Sequence, residues 1–333
     1  MTEMQNPYLM FLGDVSDQLA AKTAKGIVDW RPDWCIGQIK LAGCVADLGI
    51  QDMTIAEGVA NGAKTLIVGI VNSGGFLPDH WISVIVEALD AGMDVASGLH
   101  IRLGSIPEIK AAAERNNRSL FDVRHPTHSI PTGKGTPRSG KRLLAVGTDC
   151  SVGKMYTALA IEKEMLRRGM KADFRATGQT GIFIAGTGIS IDAVVADFIS
   201  GAVEELSPEN ESDHWDIIEG QGSLFHASYA GVSLGLLHGA QADALVLCHE
   251  PTRTHMRGLP HHPLPDLEAC MELNLTHAKL TNKEAKFVGI AINTSGLKEA
   301  ERLDYLAGIE KEYGLPTVDP FKDGTASIVD NLP

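Results

Sequence analysis

Paired cysteines, a basic surface and long apolar runs are all missing from this chain. Its five cysteines, Cys35, Cys44, Cys150, Cys248 and Cys270, are odd in number and contain no CxxC pair. That pattern argues against both a disulfide scaffold and a zinc knuckle. Lys and Arg number 29 against 42 Asp and Glu, a formal net charge of -13. Binding a nucleic-acid backbone needs a concentrated basic surface, so no nucleic-acid partner is expected and any anionic ligand must be met by local groups. No apolar stretch reaches membrane-spanning length. The start, MTEMQNPYLMFLGDVSD, has none of the basic opening, apolar centre and small-residue cleavage site of a signal peptide. These absences predict a cytoplasmic protein with no membrane partner. What is present is a soluble composition of 333 residues, 44% of them hydrophobic, long enough for two domains with full cores.

The chain alternates short apolar strands with helices of about ten residues, the pattern of a doubly wound parallel sheet. In the first half, strands are expected at Tyr8 to Leu12, Cys35 to Leu41, Lys64 to Val71 and Asp94 to Ser97. Helices are expected at Ser16 to Trp30, Thr54 to Gly62, Trp81 to Ala91 and Ile106 to Arg115. KTLIVGIV, Lys64 to Val71, is apolar on both faces, as a central parallel strand should be. From Pro126 to Arg142 the texture changes to PTHSIPTGKGTPRSGKR, without periodicity, which marks a boundary. The expected division is residues 1–128, a linker at 129–142, and a second domain at 143–333. The linker's Lys134, Arg138, Lys141 and Arg142 read as a solvated run rather than as ligand contacts. In the second half, strands are expected at Lys171 to Ala176, Trp215 to Ile218, Ala244 to Leu247, Phe287 to Ile292 and Pro316 to Val318. Helices are expected at Ile191 to Glu205, Leu267 to His277 and Leu297 to Tyr313.

The most informative stretch is GTDCSVGKM, comprising Gly147, Thr148, Asp149, Cys150, Ser151, Val152, Gly153, Lys154 and Met155. It follows the apolar run Leu143 to Val146 and precedes a helical stripe of Tyr156, Leu159, Ala160 and Met165. Strand, glycine loop and helix in that order let successive backbone N–H groups curl around a phosphate, with Lys154 adding positive charge. The helix dipole favours an anion at the same place. Where nucleotide hydrolases carry Ser or Thr to hold magnesium, this chain has Met155, which cannot ligate a hard cation. The loop is therefore built to hold a phosphate without cleaving it.

Three further segments leave parallel strands at their carboxyl ends, the side on which α/β sheets bind ligands. RATGQTG carries Arg175, open to a carboxylate ligand or to a structural ion pair. Glu219 to Ser223, EGQGS, sets a carboxylate, Gln221 and Ser223 among glycines. Glu219 there has three possible uses: holding a cation, taking a proton, or receiving backbone hydrogen bonds. His226 follows and is either a proton-transfer group or a satisfied structural histidine. CHEPTRTHMRGLPHHP, Cys248 to Pro263, has four histidines but no HExxH-type spacing. It reads as an irregular lid offering Arg253 or Arg257 to an anion. In the first half, Asn72 to Phe76 and Gly98 to Gly104 form similar loops, the latter with His100 and Arg102 either facing a cleft between domains or solvated.

GTDCSVGK followed by EGQGS resembles the branch of P-loop proteins that includes dethiobiotin synthetase. Over its whole length the chain is more similar to another family of that branch, long described only as a domain of unknown function. That family has a Rossmann-like N-terminal domain, a basic linker, and a P-loop domain with a segment like IEGQGSLFH. The resemblance implies an α/β fold: a Rossmann-like domain followed by a P-loop NTPase-like doubly wound parallel sheet. It also implies transfer of an acetyl group from acetyl-CoA to the amino group of D-glutamate, with no metal required, while the acid-rich surface fits a monomer or a homo-oligomer equally well. The loop Gly147 to Met155 and the segment Glu219 to Ser223 carry over from the family. The residues themselves suggest the remaining roles: Glu219 or His226 as proton acceptor, Gln221 and Ser223 near the substrate, and Arg175, Arg253 and Arg102 against its carboxylates. An ATP- and magnesium-dependent ligase and a nucleotide-sensing binding protein are the alternatives.

Overall fold

The computed structural model describes residues 4–71, 76–126 and 128–333. The chain divides into two compact units, one of Met1–Thr127 with Gln179–Ala193, the other of His128–Gly178 with Val194–Pro333.

Unit 1 runs β1 (Tyr8–Gly13), α1 (Lys22–Trp30), β2 (Cys35–Lys40), α2 (Ile55–Ala60), β3 (Thr65–Val68), α3 (Asp79–Asp90), β4 (Asp94–Ser97), α4 (Pro107–Asn116) and β5 (Leu120–Asp122). The strands form one parallel sheet in the order β2-β1-β3-β4-β5. Every residue of β1, β3 and β4 is buried, as a sheet covered by helices on both faces requires. The helix starts are written locally. Asp17 caps the turn before α1 through Ala20 N at 2.9 Å, and Thr54 with Glu57 forms a reciprocal capping box at α2.

Unit 2 contains β6 (Lys141–Gly147), α5 (Lys154–Arg167), β7 (Ala172–Arg175), then, after an excursion into unit 1 as α6 (Gln179–Ala185), α7 (Ile199–Leu206), β8 (Trp215–Ile218), α8 (Ala230–Ala240), β9 (Ala244–His249), β10 (His255–Met256), β11 (Leu259–Pro263), α9 (Leu267–Ala278), β12 (Lys286–Ile292), α10 (Glu299–Tyr313), β13 (Thr317–Val318) and α11 (Ala326–Asp330). Six strands make a parallel sheet, β13-β12-β9-β6-β8-β7, while β10 and β11 form a separate antiparallel hairpin. Strand β6 lies between β8 and β9, so the loop that follows it is flanked by the ends of both neighbours.

Several elements differ from the sequence expectation. The helix expected over Ile191 to Glu205 is two 3-10 turns followed by α7. The chain passes from unit 1 to unit 2 at Val194, where one rigid helix would have to pack in both. Helix α6 stands where glycines and threonines read as loop, and burial of Ile182, Phe183 and Ile184 overrides their low propensity. Helix α8 was hidden by its glycines. A Cβ at Gly235 would meet Ile199 at 2.7 Å and one at Gly239 would meet the Ser200 carbonyl at 2.4 Å, so both let α8 press against α7.

The basic linker is not a solvated run throughout. Arg142 is buried and donates to the carbonyls of Ser139 and Pro208 at 3.0 and 3.1 Å. Arg138 donates to Ser207 O and Gly239 O, both at 2.6 Å, closing the ends of α7 and α8. Burial pulls the Arg138 guanidinium down to about 10. Both arginines sit at the amino end of β6, opposite the glycine loop. No helix among the described residues is long and apolar enough to cross a membrane.

Candidate active site

The glycine loop grows out of β6. Ser151 at φ 54° and Gly153 at φ 103° turn the chain back so that α5 starts at Lys154. A left-handed serine persists only where its surroundings over-determine it, and here two arginines do so, as described below. Lys154 is 6% exposed, and its Nζ donates to the Asp149 carbonyl at 2.7 Å. Burial pushes the ammonium below the usual lysine range. Gly220 follows β8 and passes directly beneath. A Cβ there would stand 1.6 Å from the Ala145 carbonyl oxygen and 3.0 Å from Lys154 Cδ, so only glycine fits.

Glu219 receives backbone hydrogen bonds, one of the three uses open to it. Glu219 is buried, and its Oε2 accepts from the backbone N–H of Thr177 at 2.9 Å and of Gly178 at 3.1 Å. Thr177 Oγ1 donates to the Glu219 carbonyl at 2.7 Å and accepts from Gln221 Nε2 at 3.2 Å. The ends of β7 and β8 are thereby laced together around one carboxylate. Ser223 is buried and turns inward, its Oγ accepting from Phe225 N at 3.2 Å. His226 is 1% exposed. Its Nδ1 accepts from Ser228 N at 3.2 Å and its Nε2 lies 3.0 Å from the Arg257 carbonyl. Those partners assign the neutral ring as the Nε2–H tautomer, with its face on Tyr229 at 4.5 Å between centroids.

The third wall is the β9 end and the β10–β11 hairpin, where the sequence reading expected an irregular lid. His249 is buried beside the loop, its Nδ1 3.0 Å from Thr148 Oγ1. Burial takes the imidazole down to about 4, outweighing the pull of Glu250. Asp149 is fully buried and organises the rest. Its Oδ1 accepts from Cys150 N at 2.7 Å, and its Oδ2 accepts from Arg253 Nη1 at 2.7 Å and Arg257 N at 2.8 Å. Arg253 also donates to Cys150 O at 2.6 Å and Ser151 O at 2.8 Å and pairs with Glu250 at 3.2 Å. Arg257 Nη1 donates to Ser151 Oγ. The hairpin is thus strapped to the glycine loop.

Loop Gly147 to Met155, Glu219, Gln221, Ser223, His226 and Arg253 therefore come together at the carboxyl ends of β6, β8 and β9. Two proposed substrate arginines do not join them. Arg175 turns back along the sheet to Asp216 at 2.7 Å and Asp173 at 3.1 Å, the structural ion pair rather than the ligand contact. Arg102 belongs to unit 1, exposed near Asp122, whose carboxyl it helps pull down against the larger effect of burial. The loop expected at Asn72 to Phe76 lies, Phe76 apart, outside the described residues. Sequence reasoning missed the role of His249, although a histidine and a glutamate at the end of an apolar strand were the available signal. It also missed the Arg257–Gly258 turn of the hairpin, where Gly258 at φ 76° takes the second turn position.

Asp149, Cys150 and His226 offer three ligand atoms within 4.8 Å of one another. The same Asp149 carboxylate already holds the Arg253 guanidinium, so a metal cation there would face a resident positive charge. Asp173, His214 and Asp216 form a second such group, whose cation is Arg175. What the main site offers instead is a helix start with Lys154 and Arg257 beside the glycine loop.

Comparison with known proteins places these features in a family. Residues 130–329 match the model described as the DUF1611 C-terminal P-loop domain, and residues 39–126 the DUF1611 N-terminal Rossmann-like domain, both domains of unknown function. A crystal structure of a DUF1611 family protein from Anabaena variabilis superimposes with a TM-score of 0.87 at 30% identity, covering 98% of this chain and 99% of that one. Two curated relatives are similar over 99% of both chains. One, from Tritonibacter scottomollicae, is 56% identical and the other, from a Pseudoalteromonas species, is 50% identical; both are named D-glutamate N-acetyltransferase.

Proposed function

We propose, from the premise that this chain belongs to the DUF1611 family, that it is a D-glutamate N-acetyltransferase using acetyl-CoA as the acyl donor. The observation that carries this reading is identity of 50% and 56% over essentially the full length of two proteins of that name. The site is chemically compatible. Coenzyme A supplies an activated thioester and an anionic tail of phosphates, and the loop offers such a tail the α5 amino terminus, Lys154 and Arg257. Met155 at the position of the magnesium hydroxyl suits a ligand that is held rather than hydrolysed.

Within this reading Glu219 takes the proton from the attacking amine, directly or through a water. It is the carboxylate at the end of β8, and its Oε2 is fixed by two backbone N–H groups, so its orientation is set before substrate arrives. Both nitrogens of His226 are engaged with the backbone, which favours Glu219 over His226 for this step. Gln221 and Ser223 lie on the same turn and contribute polar contacts to the acceptor. The reaction stays in the cytoplasm as part of D-amino acid metabolism. Incubating the protein with acetyl-CoA and each enantiomer of glutamate, while following free thiol and N-acetylated product by mass, tests the proposal. Acetylated D-glutamate with stoichiometric thiol release is expected. Absence of acetylated product, or ATP turnover that depends on a carboxylate acceptor, overturns it.

A further inference from the structure

The hairpin strap carries two arginines in unequal circumstances. Arg253 is neutralised: its guanidinium pairs with the carboxylates of Asp149 and Glu250 and donates to two loop carbonyls. Arg257 is not. Among the described residues no carboxylate lies within ion-pair distance of its guanidinium, whose single hydrogen bond goes to the neutral hydroxyl of Ser151. Its main chain, by contrast, is held on both sides. The N–H donates to buried Asp149 at 2.8 Å and the carbonyl faces His226 Nε2 at 3.0 Å. Arg257 also occupies the turn of the hairpin, with Gly258 at φ 76° completing it. A backbone pinned by two buried groups and a charge left without a counter-ion, over a loop that ends in a helix start, describes a clamp waiting for an oxyanion.

We infer that Arg257 is the residue that grips a phosphate of the acyl donor, exchanging Ser151 Oγ for phosphate oxygens, and that Asp149 and His226 are positioning residues acting through its main chain. This rests on the acetyl-CoA reading above. It also gives His226 a purpose that its hydrogen bonds fit, since a neutral ring donating from Nε2 to a carbonyl holds position and moves no proton. Phosphate is favoured over an acceptor carboxylate because Ser151 belongs to the glycine loop, where backbone N–H groups and the α5 dipole add to the arginine.

The test is equilibrium binding of CoA, 3′-dephospho-CoA and pantetheine to wild-type protein and to Arg257→Ala, Arg257→Lys, His226→Ala and His226→Gln, with thermal melts as a folding control. Arg257→Ala is expected to weaken CoA at least about tenfold, the scale of a lost charge-assisted bond, and to leave pantetheine binding unchanged. Arg257→Lys recovers part of the loss. Loss of the Arg257 effect with 3′-dephospho-CoA identifies the ribose phosphate, and its retention identifies the pyrophosphate; both support the clamp. His226→Ala should reproduce the CoA defect, while His226→Gln, whose side-chain amide still donates to the Arg257 carbonyl, restores affinity with the wild-type pH profile of turnover. Equal CoA binding by Arg257→Ala and wild type overturns the inference, as does equal weakening of CoA and pantetheine. A rise in the D-glutamate KM with CoA binding intact overturns it in favour of a carboxylate contact. If wild-type protein binds none of the three, the donor reading itself has failed, a result distinct from failure at Arg257 alone.

Discussion

Both units open with a parallel strand, buried throughout in β1 and from Arg142 onward in β6, that ends in glycine and soon meets an aspartate: Gly13-Asp14 in one, Gly147-Thr148-Asp149 in the other. The two aspartates have opposite fates. Asp14 receives Trp81 Nε1 at 2.8 Å and His80 Nε2 at 3.0 Å. A Cβ at Gly13 would stand 2.1 Å from the Trp81 ring, so an indole fills the turn where a ligand would lie. Asp149 instead accepts from the backbone N–H groups of Cys150 and Arg257 and from the Arg253 guanidinium. One turn is closed by a packed indole and the other is tied to the hairpin by a buried carboxylate. The same architecture therefore gives a packing corner in one unit and, in the function proposed above, an anion cradle in the other, and the difference lies in a few loop residues rather than in the fold.

If the cradle is where the chemistry happens, substitutions beside it should alter turnover in ways that substitutions at the unit 1 turn do not. Glu219→Gln should have the largest effect, lowering kcat by about 10²–10⁴, the range for loss of a positioned proton acceptor. A glutamine oxygen can still accept from Thr177 and Gly178, so melting temperature should hold while rate collapses. A rate within twofold of wild type would place the acceptor elsewhere.

His249 sharpens the contrast through pH. Its folded value of about 4 lies below the ordinary 6.5, so the neutral buried ring adds stability above pH 6.5. That contribution is lost as pH falls through the window between 6.5 and 4, by up to about 3 kcal/mol. His249→Gln keeps an acceptor for Thr148 without titrating. Its denaturation midpoint should therefore vary less than wild type across that window, and an identical acid limb would refute the assignment. Lys154→Ala should weaken CoA binding about tenfold to a hundredfold by removing one charge-assisted contact, as titration calorimetry would show.

How far the sequence could lead depended on whether the information was local. GTDCSVGKM carries its own strand, turn and helix, so the loop was placed to the residue, and the buried runs of β3, β6 and β9 were legible because parallel strands are apolar on both faces. What stayed hidden depends on partners distant in sequence. Arg175 reads the same as an ion-pair member or a ligand group until Asp216, 41 residues on, is seen beside it. Helix α8 needs α7 to make sense of Gly235 and Gly239. The return of Gln179–Ala193 to unit 1 has no local signature at all. Glu219 was given three uses because a carboxylate's identity does not say which donors reach it. Its two backbone partners come from the adjoining strand end.

The smallest expected effect is the most direct check on the comparison. Asp14→Asn should leave kcat, CoA affinity and the D-glutamate KM unchanged, because its partners are Trp81 and His80 and none of them belongs to the cradle. Stability should change by less than about 1 kcal/mol, since the pair with His80 is exposed and screened and an asparagine oxygen still accepts from the indole. The sign with pH is fixed by the same contacts. The hydrogen bond from Trp81, then those of the backbone and His80, hold the Asp14 carboxyl below its usual range. Its contribution is present above the ordinary carboxylate value and disappears as pH falls through the lowered one. Asp14→Asn should flatten that part of the acid limb only, below the window in which His249 acts. Were Asp14→Asn to impair CoA binding as Lys154→Ala does, the unit 1 turn would be part of a ligand site, and the division between a packing corner and a cradle would have to be abandoned.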